Sequence, residues 1–196
     1  MDWKNHDPQT LLRELQSGDD DRSEIAVHQG AELGERMLPL LLEQLQSLEP
    51  DQRWWATAAL THIDRDEARK ALLVSLVDED TAVRQCAAFG LRRHPYVDAL
   101  PILLDLLGDQ DRLLARLAAD ALAALGECAV SPLTKALRSE DAAVRIEAAR
   151  ALASIDDPSV IAPLFAALDD DSSLVMYWAE EGLQRRGVGM VFFKPS

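Results

Sequence analysis

Aromatic side chains are scarce: four phenylalanines, four tryptophans and two tyrosines make up 5 % of 196 residues. A core of that composition must come mainly from Leu, Ala, Val and Ile, and apolar residues do reach 48 % of the chain. Positive charge is also short. Twenty Lys and Arg stand against 34 Asp and Glu, a formal net charge of −14. Such a chain is repelled by phosphate backbones and anionic membranes, so nucleic acid is excluded as the main partner. Cysteine is limited to Cys86 and Cys128, neither in a CxxC pair, so there is no disulfide framework. No apolar run approaches the ~20 residues of a membrane span. The first nine residues are polar and lack the apolar stretch of a secretion signal. No P-loop, Gly-rich phosphate motif or Ser-His-Asp order occurs. These absences predict a cytoplasmic, reduced protein.

What the chain has is repetition. DAAVRIEAARAL at 141–152 is echoed by EPDQRWWATAAL at 49–60, DTAVRQCAAFGL at 80–91, DRLLARLAADAL at 111–122 and SSLVMYWAEEGL at 172–183. The closing leucines Leu60, Leu91, Leu122, Leu152 and Leu183 are spaced by 31, 31, 30 and 31 residues. A fixed period in the 20–50 range is the mark of a solenoid, in which each unit buries its apolar face only against its neighbours.

Each unit reads as two helices. The first carries a proline followed by leucines, at Pro39, Pro101, Pro132 and Pro163, with Lys70 in the proline's place once. A short acidic turn follows, at 78–80, 109–111, 140–141 and 169–171, placed to cap the next helix. In the second helix Val144, Ala148, Leu152 and Ile155 form one stripe, and paired alanines at 87/88, 118/119 and 148/149 permit close helix approach. Pro95, Gly126, Asp157-Pro158 and Gly187 end these helices. Ahead of the array, Asp7-Pro8 opens a helix with Leu11, Leu12 and Leu15 on one face, Gly18 and the run 19–21 stop it, and a second helix covers about 22–33. The reading is all-α, a right-handed α-solenoid of about six helix pairs. Residues 1–35 form N-terminal capping helices, 36–186 the repeat array, and 187–196 a tail. The tail is expected to pack on the last pair and keep the protein monomeric, or else to offer Val191-Phe192-Phe193 to a partner or second copy.

Pro-Leu…Leu, then Asp, then Val-Arg-x-x-Ala-Ala-x-x-Leu resembles the HEAT repeat. The short 30–31-residue unit is most similar to the bilin-lyase (phycobilisome-lyase) HEAT-like subgroup. The resemblance covers about 36–186 and implies a ladder between Asp of the turn and Arg of the second helix. Asp78, Asp109 and Asp170 match the one, Arg53, Arg84 and Arg145 the other, and Ala115 and Met176 interrupt it.

The resemblance also implies that second helices line a concave surface. The positions that do not repeat there include Trp54, Trp55, Phe89, Arg116, Arg150, Tyr177 and Trp178. Trp, Tyr and Arg dominate interface energetics, commonly at ~2 kcal/mol or more per hot residue. These seven are therefore the candidate contacts of a protein partner, one with basic patches to match the acidic turns. The competing reading has Trp54, Trp55 and Trp178 filling gaps against flanking units. The function expected is a non-enzymatic scaffold. The alternative, implied by the resemblance, is a bilin-lyase-like subunit or chaperone acting on phycobiliproteins, with the aromatic groove stacking a linear tetrapyrrole.

No catalytic residue, metal site or cofactor is predicted. Of the four histidines, His62 and His94 lie near successive turns about one unit apart, too far to share a metal ion without other ligands. HEAT-like hydroxylases carry His-Glu pairs as iron ligands, and this sequence has no His-Glu dipeptide. Nothing basic sits beside Cys86 to activate it.

Overall fold

The computed structural model describes residues 7–188, and every one of its regular elements is helical. They group into two compact units, Met1–Ile102 and Leu103–Ser196. Helices of the first are α1 (Pro8–Leu15), α2 (Asp20–Leu33), α3 (Leu38–Gln44), α4 (Pro50–Leu60), α5 (Asp66–Ser75) and α6 (Thr81–Arg93). After α7 (Leu100–Asp105), at the boundary, the second unit has α8 (Arg112–Ala124), α9 (Glu127–Ala136), α10 (Ala142–Ser154), α11 (Ile161–Ala167) and α12 (Ser173–Arg185). Odd and even helices make the six expected pairs. No helix among the described residues is long and apolar enough to cross a membrane.

In the first unit α1 packs on α2, α3 on α4 and α5 on α6. Second helices stack as α2–α4–α6, and first helices as α1–α3–α5. In the second unit α8, α10 and α12 stack, with α9 and α11 against α10 and α12. The closing leucines are why the period works: Leu60, Leu91, Leu122, Leu152 and Leu183 are all buried. So are the alanine pairs, where a larger side chain would hold the stacked second helices apart.

Helix ends follow the turn chemistry. Asp80, Asp111 and Asp141 accept hydrogen bonds from backbone N–H groups of the helices they precede. Gly187, at φ 69°, closes α12: its N–H donates to Gln184 O and that of Val188 to Leu183 O, the paired bonds of a Schellman motif. One expectation is corrected. Gly18, at φ 72°, does follow α1, but 19–21 does not stop that helix; it starts the next. Asp19 accepts from the Arg22 N–H, and Asp20 and Asp21 occupy the first turn of α2, where carboxylates suit the helix dipole. The tail's expected packing falls on residues 189–196, outside the described residues, and so does His6.

Candidate partner-binding faces

Of the non-repeating positions on the second helices, all but Arg150 reach solvent in part or fully. In the first unit, consecutive helical residues lie ~100° apart, so Trp54 and Trp55 cannot share one burial environment fully. Both are half-buried, and their rings meet edge-to-face at 4.6 Å and 87°. Phe89 on α6 is 45 % exposed. In the second unit Arg116 stands exposed on α8. On α12 Tyr177 is 52 % exposed and Trp178 half-buried, with rings 5.1 Å apart at 70°. Each unit thus carries its own aromatic pair, stiffened by an edge-to-face contact.

Arg150 is placed differently. It is 8 % exposed and already satisfied: Nε donates to Glu147 at 2.8 Å, Nη1 to Asp120 at 2.6 Å and Nη2 to the Arg116 carbonyl at 2.6 Å. Burial works against its charge, yet the bonds to Glu147 and Asp120 outweigh it and raise the guanidinium pKa. Arg150 ties α8 to α10 and has little left to offer a partner. The signal was present in the sequence, since Asp120 precedes it by 30 residues and Glu147 by three, one unit and one helical turn.

The Asp–Arg ladder is formed at two rungs. Arg53 Nε and Nη2 grip Asp78 at 2.8 and 2.9 Å, while Nη1 donates to the Ser47 and Leu48 carbonyls. Arg145 repeats this on Asp170 at 2.9 and 3.2 Å, with Nη1 on Ser139 and Glu140. The same carboxylates accept from the Asp80 and Ser172 N–H groups. Arg145 holds the Asp170 carboxyl below its ordinary range. At Asp78 burial pushes upward, but Arg53 and the Asp80 N–H prevail. Arg84 Nη1 donates to the Asp78 and Glu79 carbonyls, as Arg53 does to Ser47 and Leu48 one unit before and Arg145 to Ser139 and Glu140 two units after.

Neither of the remaining reactive types assembles into chemistry. The Cys86 thiol is pushed up to about 12 by burial, so it is not a thiolate near neutral pH. His62 stacks on His28 at 5.4 Å and accepts from Arg93 Nη1 at 3.4 Å; burial first, then Arg93, lowers its pKa. His94 donates through Nε2 to Thr61 O at 3.0 Å, with Nδ1 3.5 Å from Asp64. Among the described residues no group of three or more His, Cys, Asp or Glu is arranged to hold a metal ion.

Comparison with known proteins places this geometry. A profile of HEAT repeats matches residues 38–123 and 101–184. No curated protein matches the sequence. Among solved structures, an engineered protein is 26 % identical, with a TM-score of 0.55 over 94 % of this chain and 98 % of its own. A designed armadillo repeat protein in complex with peptide (KR)4 is 19 % identical, with a TM-score of 0.52 over 90 % and 98 %. The CpcE–CpcF complex of phycocyanin lyase from Nostoc sp. PCC7120 gives 21 %, 0.54, and 91 % and 76 %.

Proposed function

The chain belongs to the HEAT-repeat family, and from that premise we propose that it is a non-catalytic interaction module. It takes hold of a partner protein through the outer positions of its second helices. The observation that carries this reading is the pair Tyr177–Trp178. Its helix packs through Val175, Ala179 and Leu183, and leaves two large aromatic rings partly open to solvent beside them. Exposed aromatic surface of that kind is the usual anchor of an interface. Trp54, Trp55 and Phe89 form the counterpart in the first unit, and Arg116 adds a free guanidinium in the second. The armadillo protein of like fold binds a peptide of alternating Lys and Arg, and a net charge of −14 favours the same class of partner here. A second reading, a subunit acting on phycobiliproteins, is favoured by the likeness to the CpcE–CpcF complex and by aromatic rings able to stack a tetrapyrrole.

The test is capture from source lysate by wild type and by Tyr177→Ala/Trp178→Ala and Trp54→Ala/Trp55→Ala, with helical circular dichroism checked in parallel. A folded variant that loses one captured protein supports the reading, and a phycobiliprotein in that role selects the second version. Capture unchanged in both folded variants refutes it. A bilin partner also quenches tryptophan fluorescence and adds visible absorption.

A further inference from the structure

The repeat register is broken toward polarity at two neighbouring places, both in the first unit. Gln44 occupies the position held by Leu106, Ala136 and Ala167 in later units, and by Ser75 in the next. Gln52 occupies that of Val83, Leu114, Val144 and Val175. Val83, Leu114 and Val175 are fully buried and Val144 half-buried, so the position is an apolar packing position in the later units. A polar side chain installed at a core position costs stability unless its hydrogen bonds are met.

Here they are met by a chain of amides. Gln16 Nε2 donates to Gln44 Oε1 at 2.5 Å, Gln44 Nε2 donates to Gln52 Oε1 at 2.6 Å, and Ser47 Oγ donates to that same oxygen at 2.7 Å. Gln44, the middle link, is 8 % exposed. The chain has two ends without a partner among the described residues: the Gln16 carbonyl, an acceptor, and the Gln52 amide nitrogen, a donor. Both residues line a cleft of about 610 Å³ between α1, α3 and the start of α4, together with Gln9 and Gln46. Five of the nine glutamines of the protein meet in this one place. The corresponding groove between α9 and α11 is lined instead by Ser131, Thr134, Lys135 and Arg138. The amides are therefore a property of this sequence and not of the fold.

We infer that this cleft is a binding site for an uncharged, extended stretch of peptide main chain. One free acceptor and one free donor, separated by a fixed amide, complement the N–H and C=O that a peptide strand presents at a spacing of ~3.3 Å per residue. The lining rules out other classes. It has no basic side chain to hold an anion, and Glu43 repels one. No aromatic ring among its described residues offers a stacking surface for a sugar or nucleobase. Leu12 and Leu40 supply an apolar wall for a small side chain. The volume lies within the usual range of ligand clefts, ~300–1,000 Å³. The site shares no residue with the second-helix positions above, so the two stand or fall separately.

The experiment uses the full chain, labelled with 15N, titrated with a capped pentapeptide of Ala, Ser and Asn while the side-chain amide signals are followed by NMR. The glutamine signals of wild type move in a saturable way. They stay still with the N-methylated peptide, which has the same composition and no main-chain N–H. Gln44→Leu/Gln52→Val carries the residues that later units carry at those positions. It folds at least as stably as wild type and binds the peptide at least tenfold more weakly. Gln16→Leu, at an exposed position, removes the free acceptor together with the donor to Gln44 Oε1, and weakens binding. Undiminished binding in the double variant, equal response to the N-methylated peptide, or no movement in wild type overturns the assignment, the last leaving the amides a purely structural device.

Discussion

Removing the Arg150 guanidinium is the sharpest test of how the second unit is held. Arg150→Met keeps the aliphatic stem and deletes three hydrogen bonds. It leaves the Glu147 carboxylate without this cation and the Arg116 carbonyl without this donor. A surface ion pair is worth ~0–1 kcal/mol, whereas stripping one partner from a buried pair costs ~3–5 kcal/mol, because the other charge stays buried. The Glu147 side chain is 12 % exposed and cannot rehydrate in place, while Asp120, at 25 %, recovers part of its solvation. The expected loss is thus at the low end, about 3 kcal/mol. At ~2–4 °C per kcal/mol for a chain of this size, the melting temperature falls by about 6–12 °C in a circular-dichroism melt. Arg185→Ala serves as control. Its i,i+4 bond to Glu181 joins two solvent-facing side chains, and its loss costs below ~0.5 kcal/mol. A loss within about 1 kcal/mol of wild type refutes the reasoning.

Two further outcomes follow from the same geometry. The Asp170 and Asp78 carboxyls have folded-state pKa values below the ordinary 3.8, so the stability they add is present above that pH and lost as acid carries the solution below it. Asp170→Asn is therefore less stable than wild type at pH 7 and converges with it toward ~pH 2, in parallel urea titrations. Gly182→Ala should raise helix propensity by ~1 kcal/mol, yet we expect net destabilisation of ~1–3 kcal/mol. Its new Cβ would meet Ala153 Cα at 2.9 Å and Leu164 Cδ1 at 2.7 Å, and backbone does not yield as a side-chain tip does; a denaturant midpoint at or above wild type would refute this.

The fold was legible because its information is periodic. Five leucines at a near-constant interval determine which helix follows which, and the aspartates before α2, α6, α8 and α10 set where those helices start. The run 19–21 was misread because acidic residues after a glycine look like an ending, when their carboxylates serve the N–H groups that follow. Of the candidate contacts, Trp54, Trp55, Phe89, Arg116, Tyr177 and Trp178 reach solvent in part or fully, as outward positions of the register must. Arg150 occupies the same register and is buried, because a neighbouring helix supplies Asp120. Register reports which side a residue faces; it does not report what the opposite helix places there. The glutamine chain escaped notice for a related reason. Gln16, Gln44 and Gln52 are 28 and eight residues apart in sequence, and only packing of α1 on α3 and α3 on α4 turns them into one line.

The ladder carries a consequence for how such a chain changes length. By sequence, a repeat with both ladder residues carries an aspartate for the pair before it and an arginine for the pair after it; Asp78, gripped by Arg53, and Arg84 are that set in the α5–α6 pair. A tandem copy of that segment arrives with both halves of its own fastening, so insertion in register needs no compensating change elsewhere. The segment with Ala115 has lost the arginine, and a copy of it would leave its successor unsecured. Duplication is thereby steered toward some segments and away from others, and growth of the array is constrained by which pairs still carry both ends.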